Sequence, residues 1–455
     1  MTVIREHQRL VLAIAVLASF VAFLDGSAIN VALPAIMREL GGGVSTQQWV
    51  VDAYLITLGS LILVAGSLSD VYGRIVILKV GLIGFGVASL LCAAAPTAQV
   101  LIVARGLQGV AGALLVPSSL ALILSNFRGA AQSKAIGQWT GFTSAAFILG
   151  PLLGGLLVDL VSWRLVFAIN VLPIAVTLYL VAALKQKEAR ALGATIDGAG
   201  AVLGVLGLGL PVFALIEQGN FSWQSPVIYL TMGFGILFFA TFLWRERTAK
   251  EPMVPFALFT VRNFAWGNIA TIFIYGALSL GSFLLAVFLQ QVAGYPATLA
   301  GLATLPVTII SILLSSRIGA LAGKFGQRLF MAVGPIIAAA GFFSYSFVQP
   351  DALYFSQIFP GVLLFGLGLT ITVAPLTSAI LGAIDERQAG RGSAINNAVS
   401  RIAGLITIAF VGVIVGPSLT IEGFQRGALI TALLLLLGGI TSWVGIRNTA
   451  AVVEN

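Results

Sequence analysis

Apolar residues run along this chain in long blocks, each closed by a short polar stretch. The blocks are too long for strands and apolar on every side, unlike the striped helices of a water-soluble domain. Segments able to cross about 30 Å of hydrocarbon fall at 10–34, 47–68, 75–95, 98–124, 133–158, 165–184, 198–217, 226–244, 264–291, 298–321, 329–348, 353–382, 392–416 and 427–446. The pattern predicts an all-α integral membrane protein with fourteen transmembrane helices. An even number of crossings puts both termini on one side.

Charge then selects the side. Of the 24 Lys and Arg, all but Arg38, Arg105, Arg164, Arg401 and Arg426 lie in the tails and in the loops on the side of the termini, which is therefore expected to be cytoplasmic. Composition agrees with a lipid solvent: 59% of residues are hydrophobic and 9% charged, against about 25% charged in soluble domains. The net charge of +8 reads as topology and contact with anionic membrane lipids, not as a nucleic-acid surface. The first basic residues, ending at Arg9, and the apolar run from Leu10 to Leu24 look like a secretory signal. The run continues through Asp25 without a small-residue cleavage pattern, so an uncleaved first span is expected.

Several chemistries drop out early. Cys92 is the single cysteine, so no intrachain disulfide forms, and His7 is the single histidine, so no histidine-based metal site can be assembled. No phosphate-binding loop of the Walker type and no Ser/His/Asp arrangement is present. An enzyme, an ATP-driven pump and a bound cofactor are not expected.

Two polar stretches are long for this chain, KQKEARALGATID (185–197) and RERTAKEPMVPFALFTVRNF (245–264). They bracket the seventh and eighth spans and suggest a six-span bundle over 1–184, a linker with an inserted helix pair over 185–263, and a second six-span bundle over 264–455. A degenerate internal repeat supports this division. GSLSDVYGR (66–74) is echoed by GALAGKFGQR (319–328), with Gly323 in place of Asp70, and Leu114–Pro117 by Thr372–Pro375. Two pseudo-symmetric bundles are the architecture of a rocking transporter. Within GSLSDVYGR, Gly66 and Gly73 permit close backbone approach while Asp70 and Arg74 can bond neighbouring helix ends. The stretch is either a cytoplasmic latch or an ordinary capped turn.

This loop, with Gly66, Asp70, Gly73 and Arg74, resembles the loop signature of the major facilitator superfamily. LIVARGLQGVAGA, with Arg105, Gln108, Gly109 and Gly112, is similar to its fourth-span motif, and AFILGPLLGG, with Gly150, Pro151, Gly154 and Gly155, to the fifth-span motif of antiporters. FLDGSAINVALP resembles the first-span motif of drug:proton antiporters. With WVVDAYLI (49–56), SWRLVFAIN (162–170) and Asp197 before the seventh span, essentially the whole chain resembles the 14-span drug:proton antiporter family. Differences are Ile75 where the loop motif has a second basic residue, Ser27 where threonine is commoner, and Gln132 where arginine is often found.

The resemblance implies a proton-coupled exporter of small hydrophobic or cationic compounds, working by alternating access in a bacterial plasma membrane. Its partners would be protons, a small-molecule substrate and lipids. The oligomeric state is open, and a monomer is compatible with the chain. A dedicated exporter of one endogenous metabolite, lipid or antibiotic is the alternative within transport, and a non-transporting membrane sensor lies outside it.

Residue counting places the intramembrane charges. Asp25 lies roughly 22 Å from the inner end of the first span, Asp52 roughly 7 Å below the outer boundary, and Arg105 roughly 10 Å deep in the fourth span. Gly150 and Pro151 fall in the same outer layer. An Asp near mid-bilayer costs about 2.5 to 3.5 kcal/mol on insertion scales, so such groups face a partner or a cavity. Asp25 can neutralise Arg105. As the main candidate, however, it couples protons to substrate, because desolvation favours its protonated form while Arg105, the charge partner that tunes it, favours its ionised form, with Asp52 a secondary acid. Asp52 is either a solvated residue of the first turn or a second proton acceptor. Glu217 reads as a solvated helix-end residue, and Arg401 as a snorkelling charge or a cavity contact. Asn30, Gln108, Asn396 and Asn397 complete the candidate cavity residues.

Overall fold

Each apolar block is helical in the computed structural model, which describes residues 2–184, 197–249, 252–385 and 388–448. No strand occurs among them. The helices are α1 (Thr2–Leu40), α2 (Val44–Tyr72), α3 (Arg74–Ala93), α4 (Ala98–Asn126), α5 (Gly129–Leu160), α6 (Arg164–Ala168), α7 (Val171–Ala183), α8 (Gly198–Phe221), α9 (Pro226–Thr248), α10 (Arg262–Gln291), α11 (Ala297–Ala303), α12 (Leu305–Phe325), α13 (Gln327–Ser344), α14 (Phe359–Leu381), α15 (Ala389–Ala409), α16 (Val411–Val415) and α17 (Ile421–Gly445). Thirteen stretches of described helix are long and apolar enough to cross a membrane, with α6–α7, α11–α12 and α15–α16 each forming one crossing. A shorter apolar stretch, Leu149–Leu160, is the end of α5, where the remaining expected span lies.

The chain divides into two units, Met1–Val254 with Pro296–Gly301, and Pro255–Tyr295 with Leu302–Asn455. In unit 1, α1 packs on α5, α4 and α7, and α2 packs on α4 and α8. The inserted pair α8–α9 falls within unit 1, where α8 packs against α2. Its docking uses Glu217, which accepts a hydrogen bond from Trp49 Nε1 at 2.7 Å; the expectation of a merely solvated end residue is corrected by this contact. Asp197 caps α8 by accepting from Gly200 N (2.8 Å) and binds Arg245 of α9 through Nε (2.8 and 3.0 Å). Of the linker, residues 185–196, 250 and 251 lie outside the described residues.

In unit 2, α10 packs on α17, α15 and α14, α13 on α14 and α17, and α12 on α14. Large apolar side chains stay exposed on outward faces, for example Val76, Val80, Ile83 and Val87 along α3 and Phe234, Leu237 and Trp244 on α9. At helical spacing these form the surface that hydrocarbon covers. The sequence echo extends to the backbone: Gly73, between α2 and α3, has φ 98° and ψ 139°, and Gly326, between α12 and α13, φ 89° and ψ 148°. Both turns need a left-handed residue, which glycine adopts without steric cost.

Candidate functional site

Small residues let α1 and α5 meet closely at the level of Asp25. A Cβ on Gly150 would collide with Ser27 Oγ, and one on Gly154 would sit 2.9 Å from the carbonyl of Ala28. The glycines of AFILGPLLGG therefore bring α5 onto α1 on either side of the Asp25 turn. Further along α5, a Cβ on Gly155 would strike the backbone of Ala297, and one on Gly301 of α11 would strike that of Pro151. Asp159 then accepts from the backbone N–H groups of Ala297 (3.2 Å) and Thr298 (2.6 Å). This motif acts as a packing face for backbone.

From α4, Arg105 enters the same layer. Its Nη1 donates to Asp25 Oδ2 and to Gln108 Oε1, both at 2.6 Å, and its Nε donates to the carbonyl of Val50 at 2.9 Å. The guanidinium lies over the Tyr54 ring, 4.4 Å from its centroid. Asp25 and Arg105 are 1% and 0% exposed. Gln108 Nε2 donates to Asp25 Oδ1 and to Ser89 Oγ, both at 2.9 Å. Asn170 Nδ2 donates to Asp25 Oδ1, also at 2.9 Å. Asp25 thus accepts three hydrogen bonds, from α4 and from the break between α6 and α7. A buried ion pair survives only with such satisfaction of its remaining lone pairs.

Residue counting had no means of assigning Asn170 and Ser89 to this network. The available signal was one amide in the apolar stretch LVFAINVLP, and the helix interruption at Asn170 is what turns that amide toward Asp25.

Asp52 stands apart from the pair. It is 0% exposed, which rules out the solvated first-turn reading, yet neither carboxylate oxygen has a hydrogen-bond partner among the described residues. On α2 it lies two residues, about 200°, from Tyr54, whose ring faces the Arg105 guanidinium, so the two side chains project to different faces of the helix. Asn30 Oδ1 on α1 is likewise buried and unpartnered.

In the loop motif, Arg74 Nη1 donates to the Ala121 carbonyl at 3.2 Å, tying the start of α3 to α4. A Cβ on Gly66 would meet nothing within 4 Å. Asp70 falls within α2, and its side chain lies outside the described residues.

Unit 2 brings Asn396 of α15 to α10, where its Nδ2 donates to Asn268 Oδ1 (3.1 Å) and Thr271 Oγ1 (2.9 Å). Asn397 and Arg401 are half-buried on the same helix. No group of three or more His, Cys, Asp or Glu able to hold a metal occurs among the described residues.

Comparison with known proteins places this geometry in context. The sequence model of the Major Facilitator Superfamily matches residues 15–185 and 172–408. The chain is 34% identical over 415 residues to the methylenomycin A resistance protein of Bacillus subtilis (strain 168), covering 90% of this chain and 88% of that protein. It is 30% identical over 466 residues to the puromycin resistance protein pur8 of Streptomyces alboniger, covering 97% and 92%. Among solved structures, a bacterial homolog of the human lysosomal transporter Spinster superposes with a TM-score of 0.69 at 15% identity, covering 96% of each chain. A D-xylose-proton symporter does so with a TM-score of 0.66 at 15% identity, covering 96% and 97%. At such identity the structural likeness bears on the fold alone.

Proposed function

The chain belongs to the Major Facilitator Superfamily, and on that premise we propose that it is a proton-coupled exporter of small hydrophobic or cationic compounds, antibiotics among them. It works by alternating access across a bacterial plasma membrane, with fourteen spans, two six-helix bundles and both termini cytoplasmic. The observation that carries the reading is the contrast between two buried acids of unit 1. Asp25 is saturated by Arg105, Gln108 and Asn170. Asp52 is buried without a partner.

An ionised carboxylate in that condition is costly, and the cost is relieved either by a proton or by a cationic substrate. A group that accepts one or the other is what antiport requires. Asp52 is therefore the proton site, and inward movement of each proton supplies about 2.3 kcal/mol per 100 mV. Asp25 and Arg105 couple α1, α4 and the α6–α7 break, and Asp25 takes part in exchange when Arg105 is drawn away. Asn30, Gln108, Asn396, Asn397 and Arg401 contribute polar contacts for substrate. Gly66, Asp70, Gly73 and Arg74 form the latch at the cytoplasmic ends of α2 and α3. No cofactor is required.

A narrower reading, export of one compound, is favoured by the relatives named for resistance to a single antibiotic. Proteoliposomes with an imposed pH gradient test both, using a panel of lipophilic cations and neutral lipophiles. Asp52→Asn is expected to abolish gradient-driven export while Asp25→Asn lowers it. Wild-type export by Asp52→Asn would remove the proton site from this residue. If no compound on the panel moves with protons in the wild type, the antiport reading falls, and transport of one compound alone would establish the narrower one.

A further inference from the structure

Positive charge gathers at the end of unit 2 where α10 and α13 begin and α17 ends. Arg328 donates through Nε to the Trp443 carbonyl at 2.7 Å, and its guanidinium lies 4.4 Å from the Trp443 ring centroid. Arg262 donates through Nε to the Gly445 carbonyl (2.8 Å) and through Nη2 to the Val444 carbonyl (2.9 Å). Arg447 is tied through its backbone to the Asn263 side chain, as donor at 2.9 Å and as acceptor at 2.8 Å. Part of this is helix capping, since the last carbonyls of α17 have no intrahelical donors.

Capping does not use all of the charge. The Nη groups of Arg328 and the whole Arg447 guanidinium have no acceptor among the described residues, and none of the three arginines forms an ion pair there. The described acids of unit 2 are Asp351, Asp385 and Glu422. Both helix starts add to the excess: neither α10 nor α13 has a side-chain bond from its own N-cap residue or an acid in the first turn, and the one side-chain acceptor at the start of α13, Asn448 Oδ1, which takes Arg328 N at 3.0 Å, is neutral, so the positive dipole ends stay uncompensated by charge. Beside the charge the surface is apolar, with Phe325 60%, Leu329 49% and Trp443 50% exposed.

We propose that this corner is a binding site for the phosphate headgroup of an anionic phospholipid. The phosphate lies between Arg328 and Arg447, beside the two helix starts, and the acyl chains run along Phe325, Leu329 and Trp443. A soluble anion would gain from the charge but not from the apolar border. Arginine suits the role because its planar fork matches phosphate oxygens two at a time. The site belongs to unit 2 and is independent of which compound the protein moves.

The test uses the full chain in nanodiscs of phosphatidylcholine, with and without phosphatidylglycerol. Phosphatidylglycerol retained after detergent extraction is counted by native mass spectrometry, and the rise in unfolding temperature over pure phosphatidylcholine is recorded. Arg447→Gln is the leading variant because its side chain supports no described contact. It is expected to weaken phosphatidylglycerol retention roughly fivefold, and Arg328→Gln with Arg447→Gln by about that factor again. Arg38→Gln, an equal charge loss in unit 1, is expected to change nothing. Undiminished retention in Arg447→Gln would overturn the proposal, as would protection by inorganic phosphate equal to that by phosphatidylglycerol. The double variant can lose the cap on α17, so its effect is read from the difference between the two lipid compositions, and the single variant decides if the double does not fold.

Discussion

The two units solve the same packing problem with different buried chemistry. Unit 1 buries Asp25, Asp52, Arg105 and Glu246; among the described residues, the buried polar side chains of unit 2 are all neutral, for example Asn268, Thr271, Gln290, Thr370 and Thr372. Both contain an inter-helix hydrogen-bond cluster on their first long helix, at Asp25 on α1 and at Asn268 and Thr271 on α10. In one the cluster is ionic and in the other it is amide and hydroxyl. Neutral groups can be satisfied in pairs, whereas buried charges must be matched or must exchange a proton or ligand. The difference locates the charge-dependent half of the proposed cycle in unit 1. The turns after α2 and α12, at Gly73 and Gly326, share a backbone conformation while the described interiors of the two units differ.

The largest expected effect comes from splitting the ionic cluster. Arg105→Ala leaves Asp25 buried beside amides alone and is expected to cost about 3–5 kcal/mol of stability, seen as a large drop in unfolding temperature in detergent. Survival of that variant at wild-type stability would mean that the pair is not part of what holds unit 1 together. A smaller effect is expected for Asn170→Ala, which removes one donor from Asp25 and should cost about 1–3 kcal/mol. Its counterpart in unit 2, Asn396→Ala, takes one neutral partner from Asn268 and Thr271 and should cost about 0.5–1.5 kcal/mol. If the two losses were equal, the contrast between ionic and neutral interiors would have no energetic content.

The smallest effect belongs to the exposed pair that joins α8 to α9. The hydrogen bonds from Arg245 hold Asp197 below its ordinary value of 3.8. A depressed carboxylate contributes stability that is present above the ordinary value and is lost as pH falls through the lower folded one. The difference in unfolding temperature between wild type and Asp197→Asn should therefore be constant from neutral pH to about that value and vanish below it. A difference that persisted in acid would mean that the ionised pair with Arg245 is not what Asp197 contributes, since asparagine keeps an acceptor for the cap on Gly200.

Much of this molecule is legible in one dimension. Lipid cannot satisfy backbone polar groups, so an uninterrupted apolar block has to be a helix, and the blocks read from the chain coincide with the helices. The pairing of Asp25 with Arg105 was also within reach, because helix rise converts residue number into depth and few intramembrane charges compete. Depth carries no information about azimuth. Asp25, Asp52 and Arg105 were expected in one layer, yet Asp52 lies on another face of α2 because it is two residues, and so about 200°, from Tyr54, whose ring faces Arg105.

Only packing decided the remainder: the turn of Asn170 toward Asp25 at the α6–α7 break, the docking of Trp49 on Glu217, and the inclusion of α8 and α9 in unit 1. The sequence by itself determined helix, membrane and charge balance, since these follow from the solvent and from spacing along one chain. Which buried acid is matched and which is left alone depends on neighbours as many as 145 residues away, and those are assigned by the shape of helix faces.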